Sequence, residues 1–441
     1  MNPASAPAAL KRELGVFGAT MLGLGSIVGT GVFVSIGIAA GAAGPAVILS
    51  IALAALLAAC NALSSAQLAA AYPVSGGAYE YGYRLLRPEL GFTAGWMFLC
   101  AKSASAATAA LGVAGYGLHL AGFDAVEALR WSGFIIAAAV TVLVLTGLRR
   151  SSAVNIVVVS VTVLALGAFA FIGLSRLSDP AAAEKFTPFF PEGGTITDVL
   201  YATALMFVAY TGYGRIATMS EEVVAPRRTI PRAIVATLVV SALLYMAVAV
   251  AAIGAVGSET LSGAAGGEAT PLETAARALQ FPGLAELVSI GAVTAMLGVL
   301  LNLVLGLSRV ALAMGRRSDL PPALGRLTRA SEPRAAIIFV GLAVAGIALI
   351  GDVKTTWGFS AFTVLIYYAV TNLAALRLPK DQRLYPSFIA WAGLFGCLLL
   401  AFFLPRTIWG PGIGLILGGL IWQFAAKRLW PSNNSQGDTR L

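Results

Sequence analysis

Residues 23 to 33 read GLGSIVGTGVF and set Gly23, Gly25, Gly29 and Gly31, with Ser26 and Thr30, inside an apolar run from Leu14 to about Ala40. The chemistry on offer is that of exposed main chain. Glycine tolerates dihedral angles that other residues avoid, so this spacing predicts a helix that unwinds partway. Amides opening the second half-helix then face an anion, helped by the helix dipole, and carbonyls ending the first half attract a cation. An α-amino acid carries both charges. The same glycines would also let neighbouring helices pack closely, and a second copy favours the break. MFVAYTGYGRIATMSEEV, residues 206 to 223, places Gly212 and Gly214 among Tyr210, Thr211 and Tyr213. Two interrupted helices with matching breaks are the pattern of a five-plus-five inverted repeat, with the site between the breaks.

Lys102 is the other residue with chemistry in an apolar setting, in GWMFLCAKSASAATAALG beside Ser103 and Ser105, with no carboxylate within a turn. An ionised side chain at that depth costs at least ~2.5 kcal/mol, so Lys102 is expected to face the bundle interior or a wet cavity. Desolvation sets its charged form against its neutral one, which suits a residue that replaces a coupling cation or carries a proton. The alternative is snorkelling toward the nearer membrane face. Arg215 follows the second break, and the reading favours structural pairing with Glu221 or Glu222, which with Arg227 and Arg228 form a charge cluster. No Asp or Glu lies near the middle of any apolar run; Asp198, Glu286, Glu221 and Glu222 are at ends. A dication such as a polyamine, or a cationic amino-acid side chain, finds no buried counter-charge, and neutral amino acids fit best. Cys60, Cys100 and Cys397 fall in apolar runs without CxxC spacing and read as packing residues, and the single His119 as an interfacial loop residue, so no metal site or cofactor is expected.

The elements that must position these residues are membrane helices. A chain of 441 residues with 58% hydrophobic and 11% charged content departs far from a soluble average of roughly 25% charged. At about 20 apolar residues per crossing, the sequence predicts an all-α integral membrane protein with twelve spans. They lie near 14–40, 45–71, 92–118, 131–148, 153–174, 196–219, 233–256, 286–314, 335–351, 355–376, 384–404 and 408–426. MNPASAPAALKREL is polar and basic, and the apolar run after it is too long for a secretory signal, so the first helix is expected to stay in the membrane. Most of the 29 Lys and Arg fall in segments on the N-terminal side of the bilayer, which predicts both termini cytoplasmic in a cell (plasma or inner) membrane. That bias, with contact to anionic lipid headgroups, accounts for the net charge of +9 and removes the case for nucleic acid. The expected division is a cytoplasmic N-terminus (1–13), a transport core of helices one to ten (14–376), two further helices (384–426) and a cytoplasmic tail (427–441).

GLGSIVGTGVF, AAYPVSGGAYEY, SEEVVAPRRTIPRAI and LGLSRVALAMGRRSDLPPAL, in this order between residues 23 and 324, together resemble the amino acid-polyamine-organocation (APC) superfamily of permeases. The resemblance implies the leucine-transporter-like fold, with helices eleven and twelve appended to the repeat. It implies that a substrate carboxylate meets the backbone around Gly29, Thr30 and Gly31, and that the ammonium meets carbonyls near Ser26, Ile27, Val208, Ala209 and Thr211. Tyr210 and Tyr213 then shape or gate the pocket. Many members carry S-A-x-V-N on the fifth helix and, seven positions after the Asn, a lysine in a cation site; here SAVNIVVVSVTVLAL puts Thr162 at that point, so a fixed-lysine mechanism does not transfer. Asn302 is a second residue for that cation region. The expected function is a secondary transporter of amino acids, most simply neutral ones, working by alternating access with proton coupling or exchange. The rivals are a cationic amino acid or polyamine carrier of the same fold, a channel, a membrane nutrient sensor, and an enzyme. For the last, the spans lack paired carboxylates, a His cluster or a Ser-His arrangement.

Overall fold

The computed structural model describes residues 14–72, 76–123, 126–147, 152–191, 193–218, 223–328 and 332–430. The apolar runs fold as helices because main-chain groups in hydrocarbon must find partners along their own segment. In chain order these are α1 (Val16–Ile27), α2 (Ile36–Ala43), α3 (Val47–Ala71), α4 (Ala78–Leu85), α5 (Pro88–Leu120), α6 (Val126–Leu145), α7 (Ser152–Ser175), α8 (Pro180–Glu184) and α9 (Ile196–Tyr210). They continue with α10 (Gly214–Thr218), α11 (Pro226–Gly267), α12 (Pro271–Ala278), α13 (Leu284–Arg316), α14 (Arg334–Ile350), α15 (Val353–Leu376), α16 (Ser387–Phe403) and α17 (Arg406–Leu429). Among the described residues, eight helical segments are long and apolar enough to cross a membrane, and α1, α14 and α16 are apolar but shorter.

Two expected spans are interrupted. The first becomes α1, a π turn over Gly31–Ser35 and α2; the sixth becomes α9, a 3-10 turn over Thr211–Tyr213 and α10. The seventh overruns its expected end at 256, because Gly257 takes φ 80° and ψ 165° and joins two helices at a kink within α11. That left-handed φ is open to glycine at little cost.

At the centre stands α5, 89% buried over its most apolar window against 17% for the peripheral α17. Its run SASAATAALGVAG keeps side chains small, so α13 and α15 approach closely, Met296 Sδ lying 2.6 Å from where a methyl on Gly112 would sit. The last turn of α5 corrects the reading of His119 as a loop residue. Its two ring nitrogens lie 2.8 Å from Glu268 and 2.8 Å from the buried Glu273, and Arg277 completes the cluster with Glu273. At the other end of the bundle α4 is held by Asp319, whose Oδ2 accepts from the hydroxyls of Tyr79 and Tyr83, each at 2.6 Å. The segment 1–13, residues 431–441, and Glu221 and Glu222 with their expected pairing to Arg215 lie outside the described residues.

Candidate functional site

The first interruption lies between two helical ladders. Ile27 ends α1, and Val28 turns to an extended conformation (φ −78°, ψ 103°) while donating to Leu24 O at 2.8 Å. The next main-chain bonds run from Val32 and Phe33 to Gly29 O, at 3.0 and 3.1 Å. The amides of Gly29, Thr30 and Gly31 therefore head the second half-helix, where the dipole is positive. Glycine acts here differently from the sequence expectation: none of Gly23, Gly25, Gly29 or Gly31 has a positive φ. A methyl would meet Val299 at 2.7 Å from Gly29, Ala209 at 2.6 Å from Gly31 and Thr237 at 2.6 Å from Gly23, and would collide with Asn155 from Gly25. Close approach of helices, not dihedral freedom, demands these residues, and Val28 makes the turn.

The second interruption is a tightening rather than a gap. Thr211 donates through both its main-chain N–H and its Oγ1 to Val208 O, the latter at 2.7 Å, as the chain winds into the 3-10 turn. Gly212 presses main chain to main chain on Ser26 and Ile27, so the two interruptions touch. Two fixed donors serve this junction, one at its carbonyls and one at a hydroxyl. The hydroxyl of Tyr245, from α11, donates to Ile27 O at 2.8 Å and lies 3.4 Å from Ala209 O. Lys102, 8% exposed, donates from Nζ to Thr211 Oγ1 at 2.6 Å and points into the bundle instead of toward a membrane face. Ile27, Ala209 and Val208, expected to meet an ammonium, thus each have a neighbour already; Ile27 O and Ala209 O keep a second lone pair, whereas Val208 O takes two donors from Thr211.

A cavity of about 160 Å³ opens at the junction. Of the expected site residues it is lined by Ser26, Ile27, Thr30, Gly31, Lys102, Val208, Ala209, Thr211 and Asn302. Gly29, Tyr210, Tyr213 and Thr162 are not in its wall, for separate reasons. Gly29 backs onto Val299. Tyr210 turns to Ile51 O with its ring tilted against Tyr245, and Tyr213 is buried behind Tyr368 with ring centroids 5.6 Å apart. Thr162 is buried on α7 and donates to Val158 O of its own helix. The aromatic wall comes instead from Trp357, Tyr367 and Tyr368 of α15, with Phe98 and Ser105 from α5. The double tyrosine in the middle of an apolar run, TVLIYYAV, was the sequence signal for it.

The cavity runs from the junction toward the side of the α1 N-terminus, where Gly76, Gly77, Tyr79, Arg309 and Val310 line it. The opposite side is closed by packing. Trp357 Nε1 donates to Leu205 O at 3.0 Å, and Tyr116 donates to Phe33 O at 2.8 Å while accepting from Leu272 N–H at 3.3 Å. Lys102, Arg215 and Arg309 are its basic lining residues, and among the described residues lining it none is Asp or Glu.

The sequence model of a family described as Amino acid permease matches residues 18–408. An uncharacterized transporter of Mycobacterium tuberculosis is 38% identical over 445 residues, which cover 100% of this chain and 96% of that protein. The branched-chain amino acid permease BcaP of Bacillus subtilis is 30% identical over 391 residues, 85% of this chain and 82% of the relative. A cationic amino acid transporter, number 3, of Arabidopsis thaliana is 28% identical over 389 residues, 83% of this chain and 63% of the relative.

Proposed function

The chain belongs to the amino acid permease family, and we propose that it is a secondary transporter moving neutral amino acids across the cell membrane by alternating access. One observation carries the substrate choice. The cavity joins a half-helix amide terminus to the carbonyl end of another helix and has no Asp or Glu among its described lining residues. A zwitterion finds complementary main-chain charge there, whereas a cationic side chain finds Lys102, Arg215 and Arg309 and no counter-charge. Branched-chain substrates, as in the name of the Bacillus relative, agree with a wall of Val299, Leu303, Trp357 and Tyr368. A cationic amino acid substrate, as in the name of the Arabidopsis relative, would need a carboxylate in this wall.

In this reading the two interrupted helices are the first and sixth of twelve spans, the core is the inverted repeat, and both termini are cytoplasmic. The cavity then faces inward. Carboxylate contacts fall to Thr30 and Gly31, and the ammonium is left the carbonyls of Ser26 and Ala209. Lys102 carries the coupling proton or stands in for a cation, because its amine occupies the hydroxyl that ends α9. Purified protein in vesicles should take up or exchange a neutral amino acid saturably, with leucine-like substrates outcompeting lysine and glutamate. Binding without flux would reassign it as a sensor. Lys102→Ala should insert normally while losing uptake or its pH dependence; transport unchanged across pH would remove the residue from the mechanism.

A further inference from the structure

The seam between α5 and α15 holds hydroxyls where packing asks only for small side chains. Ser105 Oγ and Ser360 Oγ are 2.7 Å apart, and Thr108 Oγ1 and Thr356 Oγ1 are 2.8 Å apart. All four residues are buried. Thr108 also reaches Ala104 O at 3.0 Å and Thr356 reaches Asp352 O at 2.7 Å, so each threonine proton has an acceptor on its own helix. A facing hydroxyl is therefore not required to avoid an orphaned donor. The two pairs follow the antiparallel register of the helices, one turn apart. Ser105 is one turn from Lys102, and both line the cavity. Thr356 is one turn from Asp352, the exposed N-cap of α15 at the end away from the cavity mouth.

We propose that this seam is the route by which a proton from the outer face reaches Lys102. The proposal rests on the reading of Lys102 as the coupling residue. From the elements packed around it, the titratable side chains facing the cavity with Lys102 are Tyr79, Arg215, Arg309, Tyr367 and Tyr368, none of them a carboxylate. A proton donor is therefore wanted from elsewhere, and the outer half of the protein is otherwise closed by Trp357 and Tyr116. Each hop adds a proton to a hydroxyl lone pair as that hydroxyl's own proton passes on, and the last places it on the lone pair of the neutral Lys102 amine. No bond between heavy atoms changes, and each hydroxyl is reset by rotation. Side chains one helical turn apart sit about 5–6 Å from each other, a distance that one water bridges. Asp352 and Lys354, both exposed, are the charged groups at the outer entrance.

The test uses the full chain in vesicles with two readouts: amino acid exchange, which moves no net proton, and accumulation driven by a pH gradient. In the Thr108→Val/Thr356→Val variant, whose sites are not in the cavity wall, exchange should stay within about twofold while gradient-driven accumulation falls about tenfold or more. Thr108→Ser/Thr356→Ser should restore accumulation. Gradient-driven accumulation retained by the valine variant would overturn the route, as would exchange and accumulation falling together without rescue by serine. If Lys102→Ala keeps its response to the gradient, the lysine reading fails and the route, which ends on Lys102, is overturned with it. If Lys102→Ala loses the response while the valine variant keeps it, the lysine reading stands and only the route fails. Wild-type protein that exchanges amino acids with no response to a pH gradient would overturn the route and leave the transport reading intact.

Discussion

Tyr245 shows how a single side chain makes irregular backbone tolerable at this depth. An unpaired carbonyl in a dry interior costs ~1–3 kcal/mol, and Tyr245 removes that cost at Ile27, the last residue of α1. Tyr245→Phe keeps the ring against Tyr210 and deletes only the donor. The variant should melt at a lower temperature in detergent and transport more slowly; an unchanged melting curve with normal uptake would show that Ile27 O finds another partner. Gly31→Ala tests close approach directly, since the added methyl falls 2.6 Å from Ala209. It should abolish uptake, whereas Gly167→Ala, with nothing within 4 Å of its methyl, should be neutral.

Among the elements, α4 forms one wall of the cavity mouth through Tyr79 and is tied to two distant segments at once. Asp319 receives the hydroxyls of Tyr79 and Tyr83, Gln423 of α17 donates to Tyr83 Oη at 3.0 Å, and Arg317 pairs with Glu80 at 2.6 Å while lying over the Tyr83 ring. Burial first, and then the Asp319 carboxylate, hold both tyrosine hydroxyls well above their ordinary range. An acid whose folded pKa is raised contributes stability below its unfolded value and loses it as pH rises through the folded one. The α4 latch should therefore be intact at neutral pH and weaken as pH rises above about 10. Asp319→Asn should speed hydrogen exchange across 78–85 at neutral pH, and protection equal to wild type would show that the carboxylate does not hold α4.

For the molecule as a whole, the arrangement is a closed half and an open half meeting at the touching interruptions. Leu303→Cys, in the cavity wall, should react with a membrane-impermeant thiol reagent from the side of the N-terminus and be protected by substrate. The native background is low, since Cys397 is buried and Cys60 and Cys100 are partly so. Reaction only from the opposite side would reverse the assignment of the mouth.

Hydropathy and composition determined much of this from the sequence. A bilayer's need for internally satisfied backbone makes apolar runs into helices, and glycine clusters within them marked where two helices are interrupted. The depth of Lys102 and the scarcity of carboxylates within the runs were legible for the same reason, being properties of position along one segment. What only the tertiary structure decided is which way each side chain faces and what stands opposite. Tyr210 and Tyr213 turn away while Tyr367 and Tyr368 form the wall, Thr162 is shut from the cavity, His119 meets Glu268 and Glu273, and the glycines serve neighbours instead of dihedral angles. Each depends on the rotation of a helix against partners far away in the chain, and a chain whose lipid-facing and core-facing residues are both apolar leaves that rotation almost unmarked.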